Sequence, residues 1–141
     1  MNIYAESSAV LAWLLAEDPS RPVGEVLDGA ALVVASDLTV LECERILVRA
    51  LALGELDEGA TADRRAQLSM AAAHWHRLRI TSDIVDRAAR PFPSEPIRTL
   101  DAIHLASALT ARTSVPGLEL LSLDRRIRRA GRLLGFRLQP D

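Results

Sequence analysis

The sequence predicts an α/β fold, a parallel sheet covered on both faces by helices. Three observations carry this. Short apolar runs of strand length alternate with longer segments of helical periodicity along the whole chain. The 141 residues are 49% hydrophobic, enough for one real core and too few for two ordinary domains. No repeat, low-complexity segment or linker breaks the pattern, so residues 1–141 are expected to form one domain.

Residues 1–5 read as a short strand ending at Glu6. Ser7 or Ser8 then caps a helix to about Glu17, with Ala9, Val10, Leu11, Trp13, Leu14 and Leu15 apolar at helical spacing. Asp18-Pro19-Ser20 ends it, and Pro22 suits the first turn of a short helix over 22–28. Residues 31–35, Ala-Leu-Val-Val-Ala, are too short for a helix and read as a buried strand. Ser36 or Asp37 caps a long helix to Leu53, which Gly54 stops. A further helix runs from about Glu58 to Leu78, followed by a short strand at Arg79-Ile80-Thr81. Ser82 caps a helix to about Arg90, and Pro91, Pro93 and Pro96 make a loop. Thr99 caps a helix to about Arg112, and Val115-Pro116-Gly117 turns the chain. Residues 118–123 form a strand, Asp124 caps a last helix to Leu134, Gly135 closes it, and 136–138 make a final strand.

Absent residues exclude several chemistries. All 17 basic residues are arginine, so a P-loop and a Schiff-base enzyme both lack their lysine. No GxGxxG marks a dinucleotide site, and no GxSxG supports a serine nucleophile. His74 and His76 are two apart and face different ways on a helix, which argues against a histidine metal site. The lone Cys43 excludes an internal disulfide and a cysteine-rich zinc site. The first residues lack a basic region leading into an apolar run, and no stretch of membrane-spanning length exists. A cytoplasmic protein without membrane contact is expected.

Net charge is −2, but it is unevenly spread: residues 1–63 hold 12 acids and 3 arginines, residues 64–141 hold 7 acids and 14 arginines. A carboxylate pocket beside an arginine surface suits a metal-dependent enzyme acting on a polyanion. In a parallel sheet, ligands bind beyond the carboxyl ends of the strands. Glu6 and Asp124 stand at such ends. Asp101 lies in the first turn of its helix, with Leu105, Ala108 and Leu109 on the same face. Taken singly, Asp101 and Asp124 are ordinary helix-start residues. The helix over 37–53 adds Glu42 and Glu44, and pattern alone does not choose between them. Periodicity favours Glu44 as the more buried. Two carboxylates about 5 Å apart repel by roughly 3 kcal/mol at an effective dielectric near 20. Several in one crevice therefore call for a divalent cation, and hard oxygen ligands favour Mg²⁺ or Mn²⁺.

Four segments resemble the motifs of the PIN-domain ribonucleases, and among them the VapC toxins of type II toxin–antitoxin pairs. They are Ile3-Tyr4-Ala5-Glu6-Ser7-Ser8-Ala9, Ser36-Asp37-Leu38-Thr39-Val40-Leu41-Glu42 with Arg45, Thr99-Leu100-Asp101-Ala102-Ile103-His104-Leu105-Ala106, and Leu121-Ser122-Leu123-Asp124. The third is the most specific. The resemblance spans the chain and implies a three-layer α/β/α PIN-like fold with a small central parallel sheet. It implies Mg²⁺- or Mn²⁺-dependent RNA cleavage, with Glu6, Glu42, Asp101 and Asp124 as the acidic metal site. It selects Glu42 over Glu44. It departs at one place: the first acid of the family is usually Asp and here is Glu6. A cognate VapB-like antitoxin that blocks the site and a homodimer are implied as well.

On this reading a water activated at the metal attacks the phosphodiester and leaves a 5′-phosphate and a 3′-hydroxyl. Ser7 and Ser122 flank the acids and read equally as bonding partners of those acids or of metal waters and as helix-capping or strand-end residues. His104 reads as a packed side chain. RNA, tRNA included, would be held by phosphate contacts from Arg98, Arg125, Arg126, Arg128 and Arg129. Aromatic residues are too few for a stacking platform. Trp13, Leu14, Met70 and Trp75 are candidates for an interface or for core. Three alternatives compete. The altered Glu6 site binds without efficient cleavage; a phosphotransfer protein uses Asp124 or Asp101 but lacks the usual lysine; or the chain is purely an interaction protein.

Overall fold

Alternation within the first strand sets the layering. The computed structural model describes residues 1–141, and in it β1 (Asn2–Ala5) sends Ile3 and Ala5 to one face and Tyr4 to the other, all fully buried. β2 (Leu32–Ser36) divides Val33 from Val34 in the same way, and β4 (Glu119–Leu121) divides Leu121 from Leu120. Completed by β3 (His76–Leu78) and β5 (Leu138–Gln139), the sheet runs β3-β2-β1-β4-β5 with every pairing parallel.

Seven helices cover it. The face carrying Ile3 and Ala5 packs on α1 (Ser7–Leu14), α2 (Ser20–Gly29), α3 (Asp37–Ala52) and α4 (Glu58–Ala72), through Val10, Leu14, Val23, Cys43 and Leu68. The other face takes α6 (Thr99–Ser114) and α7 (Arg125–Leu133), with α5 (Ser82–Ala88) against α6, around Leu105, Ile127 and Phe136. This is the expected three-layer architecture. Gly131 lets α7 approach β4: a Cβ there would lie 2.5 Å from Leu120 Cδ2. No helix is long and apolar enough to cross a membrane.

Several boundaries differ from expectation. The helix expected over 58–78 ends at Ala72, and the strand expected at 79–81 lies at 76–78. Ala71-Ala72-Ala73 sustains a helical pattern, but the free edge of β2 captures the next segment, pairing Val34 with His76 and Ser36 with Leu78. Tertiary pairing overrides propensity there. Caps shift too. Glu6 rather than Ser7 or Ser8 caps α1, and Thr81 rather than Ser82 caps α5. Leu14 is fully buried in the core, whereas Met70 is 72% exposed. Leu41, Ile46, Val48 and Leu51 of α3 are exposed as well.

The chain steps outward from β1 through β2 to β3, then crosses to β4 on the other side of β1. The strand order thus reverses at β1, which opens a crevice at the carboxyl ends of β1 and β4.

Candidate active site

Glu6 leaves β1 directly into that crevice and is 4% exposed. Its Oε1 accepts the Ser8 backbone N–H at 3.1 Å, and its Oε2 accepts the Ser122 hydroxyl at 2.7 Å and the Ser8 hydroxyl. Ser8 Oγ in turn accepts the backbone N–H groups of Leu123 (2.9 Å) and Asp124 (3.2 Å). One hydroxyl therefore ties the end of β1 to the segment after β4. The longer Glu side chain at this position curls back to cap its own helix.

Glu42, on α3, reaches the same crevice. Its Oε1 accepts Ser7 Oγ–H at 2.6 Å and lies 2.6 Å from His104 Nε2. Burial alone would raise its pKa, but hydrogen bonds from His104 and Ser7 outweigh it and hold the carboxyl below its ordinary range. Glu44 points elsewhere and pairs with Arg65 of α4 at 3.0 Å. The helix is apolar on more than one side, so periodicity could not separate the two.

Asp101 sits in the first turn of α6 with no hydrogen-bond or ion-pair partner for its carboxylate. Burial raises its pKa, and the charges of Asp124 and Glu6 raise it further; His104 and Arg98 oppose them. Asp124 caps α7, its Oδ1 accepting the N–H groups of Arg126 (2.9 Å) and Ile127 (3.0 Å). The structure thus brings Glu6, Asp101 and Asp124 within electrostatic reach of each other, with Glu42 held beside them by Ser7 and by His104, whose Nε2 lies 4.0 Å from Glu6 Oε1. Cys43 plays no chemical part. Burial, then the nearby Glu42 and Glu6 charges, push its thiol up to about 12.

The donor set suits a hard divalent cation: carboxylate oxygens only, with the unpartnered Asp101 carboxyl raised in pKa by burial and then by like charge. No three acidic or histidine side chains stand close enough, as placed, to chelate one ion. Loading the site would therefore draw on the uncommitted oxygens of Asp101 and Asp124.

The five arginines expected at RNA part company. Arg98, Arg126 and Arg129 line one cleft of about 410 Å³ with Ser94, Glu95, Pro96 and Ile97. None of the three has a carboxylate partner, and Glu95 spends its own on the N–H groups of Phe92 and Ile97. Arg125 is exposed. Arg128 is committed elsewhere, donating to the carbonyls of Ser122, Gln139 and Pro140 and fastening the C-terminal segment.

Residues 3–133 match the model of the PIN domain. The chain belongs to the PIN domain family. It is 35% identical over 134 residues to ribonuclease VapC46 of Mycobacterium tuberculosis, covering 95% of this chain and 93% of that one. Among solved structures, Mycobacterium tuberculosis VapC20, a sarcin-ricin loop cleaving toxin, aligns with a TM-score of 0.66 at 15% identity, over 92% of this chain and 95% of that one. A toxin–antitoxin complex from Klebsiella pneumoniae aligns with a TM-score of 0.61 at 19% identity, over 88% and 87%. At those identities the two structures speak for the PIN fold alone.

Sequence reasoning underrated two groups of this PIN domain. Ser8 read as a helix cap, yet it bridges Glu6 and the Asp124 backbone. His104 read as packing, yet it contacts Tyr4, Ser7 and Glu42. A signal for His104 was present: it lies three residues after Asp101, on the same helix face.

Proposed function

We propose that this chain is a Mg²⁺- or Mn²⁺-dependent endoribonuclease toxin, acting as one domain in the cytoplasm and neutralised by a VapB-like antitoxin. The observation that carries this is the unpartnered Asp101 carboxylate, facing the charges of Asp124 and Glu6 at the strand-order reversal of a PIN fold. Full-length relatives bearing a ribonuclease name add to it and disfavour the reading in which Glu6 abolishes cleavage.

Asp101, Asp124 and Glu6 would hold the cation, which when bound neutralises phosphodiester charge and promotes ionisation of water. Glu42, poised beside them, would orient the attacking water through its free carboxylate oxygen. Arg98, Arg126 and Arg129 would hold flanking phosphates in their cleft, with Arg125 at its rim, and RNA affinity would fall steeply with salt. Arg128 would serve the fold rather than RNA.

The proposal includes an antitoxin and a homodimer. The apolar groove on α3, about 610 Å³ and lined by Leu41, Ile46, Val48 and Leu100, ends at Glu42. A partner seated there would cover the site. Light scattering of the protein alone and with its antitoxin checks both assemblies.

The deciding experiment incubates antitoxin-free protein with total RNA, tRNA included, in Mg²⁺, in Mn²⁺ and in EDTA, with Asp101→Ala alongside. Discrete fragments that require metal and vanish in the variant are expected. Melting in Mn²⁺ supplies a second readout: the ion should stabilise the wild type by about 2.7 kcal/mol at a hundredfold excess over Kd. Absence of both effects from folded protein overturns the proposal.

A further inference from the structure

His104 is 1% exposed, yet its ring meets three polar groups. A carboxylate only accepts, so the 2.6 Å contact between Nε2 and Glu42 Oε1 requires the proton on Nε2. In the neutral ring Nδ1 is then bare, and it accepts the Tyr4 hydroxyl at 2.9 Å. Tyr4 itself is fully buried in the central strand, which fixes the far end of the chain of bonds. Ser7 donates a second bond to the same Glu42 oxygen at 2.6 Å. Glu42 Oε2 takes no bond, and the side chain is 27% exposed. One oxygen is clamped; the other is free on a partly exposed side chain.

We propose that His104 is a positioning residue: held in its Nε2–H tautomer by Tyr4, it aims the free oxygen of Glu42 at the reacting phosphodiester. It is no general base, because the ring is sealed from substrate, Nε2 already carries its proton and Nδ1 is occupied by the Tyr4 hydroxyl. Glu6 Oε1 lies 4.0 Å from the same nitrogen, too far for a hydrogen bond. The inference rests on the nuclease reading above, and its test separates the two.

Side-chain length selects the variants. Glutamine places an amide nitrogen near the position of Nε2 and can still donate to Glu42; asparagine ends near Nδ1 and cannot. Activity should survive in His104→Gln to within about threefold, while His104→Asn should lose about 10- to 100-fold in kcat at an unchanged KM. Imidazole ¹⁵N spectra of the wild type should show the Nε2–H tautomer, and Tyr4→Phe should release it. A wild-type Nδ1–H tautomer overturns the proposal, as does full kcat in His104→Asn or an equal loss in both His104 variants. The spectrum of the wild type decides even where a variant folds poorly. A wild type that shows the Nε2–H tautomer but cleaves no RNA overturns the nuclease reading instead.

Discussion

The glutamates and the aspartates of the crevice are built differently. Glu6 and Glu42 are fastened by side-chain hydrogen bonds: from Ser8 and the distant Ser122 for one, from the distant Ser7 and His104 for the other. Asp101 and Asp124 rest instead on the N-terminal turns of α6 and α7, where the backbone field favours negative charge. Asp101 makes no side-chain bond, and Asp124 commits one oxygen. The glutamate half is therefore preorganised, and the aspartate half stores repulsion that a cation would relieve.

The largest effect is expected on the aspartate side. Asp101→Asn should lower RNA cleavage by at least about 100-fold while raising stability at neutral pH. Its carboxyl titrates above the ordinary 3.8, through burial first and then the charges of Asp124 and Glu6. The folded chain thus holds this proton longer than the unfolded chain does. Ionisation penalises the fold increasingly as pH rises from 3.8 through the raised pKa, and not at all below 3.8. Melting curves should find the variant more stable at pH 7 and level with wild type in acid. An equal difference at both ends would count against stored repulsion.

On the glutamate side the next effect is structural. Ser8→Ala removes a donor to Glu6 and the acceptor of two backbone N–H groups, so urea unfolding should register a loss of about 1–3 kcal/mol. A loss under about 0.5 kcal/mol would mean that this hydroxyl does not hold the two strand ends together. Glu42→Gln should show the pH dependence opposite to that of Asp101→Asn. Burial works to raise the Glu42 pKa, but the His104 and Ser7 bonds win and lower it from 4.5. Its stabilisation is present above that value and lost as pH falls through the lowered one. The variant should therefore be less stable than wild type at pH 7 and converge with it in acid. If both variants drift the same way with pH, the contrast between the two halves fails.

How much of this was legible in the sequence depends on the range of the forces involved. The layering was readable, because Ile3, Tyr4 and Ala5 alternate and β1 is buried on both faces. Glu6 and Asp124 were readable as strand-end acids from local order alone. The edge strand at His76–Leu78 was not, since only pairing with β2 distinguishes it from the end of a helix. Arg128 was indistinguishable from Arg129 in a run of arginines until the C-terminal carbonyls folded over it. Ser8 and His104 draw their roles from partners up to a hundred residues away or more, Tyr4 at |i−j| of 100 and Leu123 at 115. Local pattern marks His104 only by its place three residues after Asp101, and it names neither its partners nor those of Ser8.

The smallest effect comes from the acid that periodicity preferred. Glu44 and Glu42 share one helix and one chemistry, and both are partly exposed. Glu44 meets only Arg65, in an ion pair whose side chains are 34% and 50% exposed. Solvent screening leaves such a pair worth little, so Glu44→Ala should change stability by no more than about 0.5 kcal/mol and leave RNA cleavage intact. Glu42→Ala strips the shared acceptor from Ser7 and from a buried imidazole, which are then left only each other. It should cost several times as much and impair cleavage as well. Two alanine variants, two positions apart, thus test whether burial at the crevice or helical periodicity marks the functional acid. Equal losses of stability from both would mean that the His104 contact contributes no more than the surface pair does.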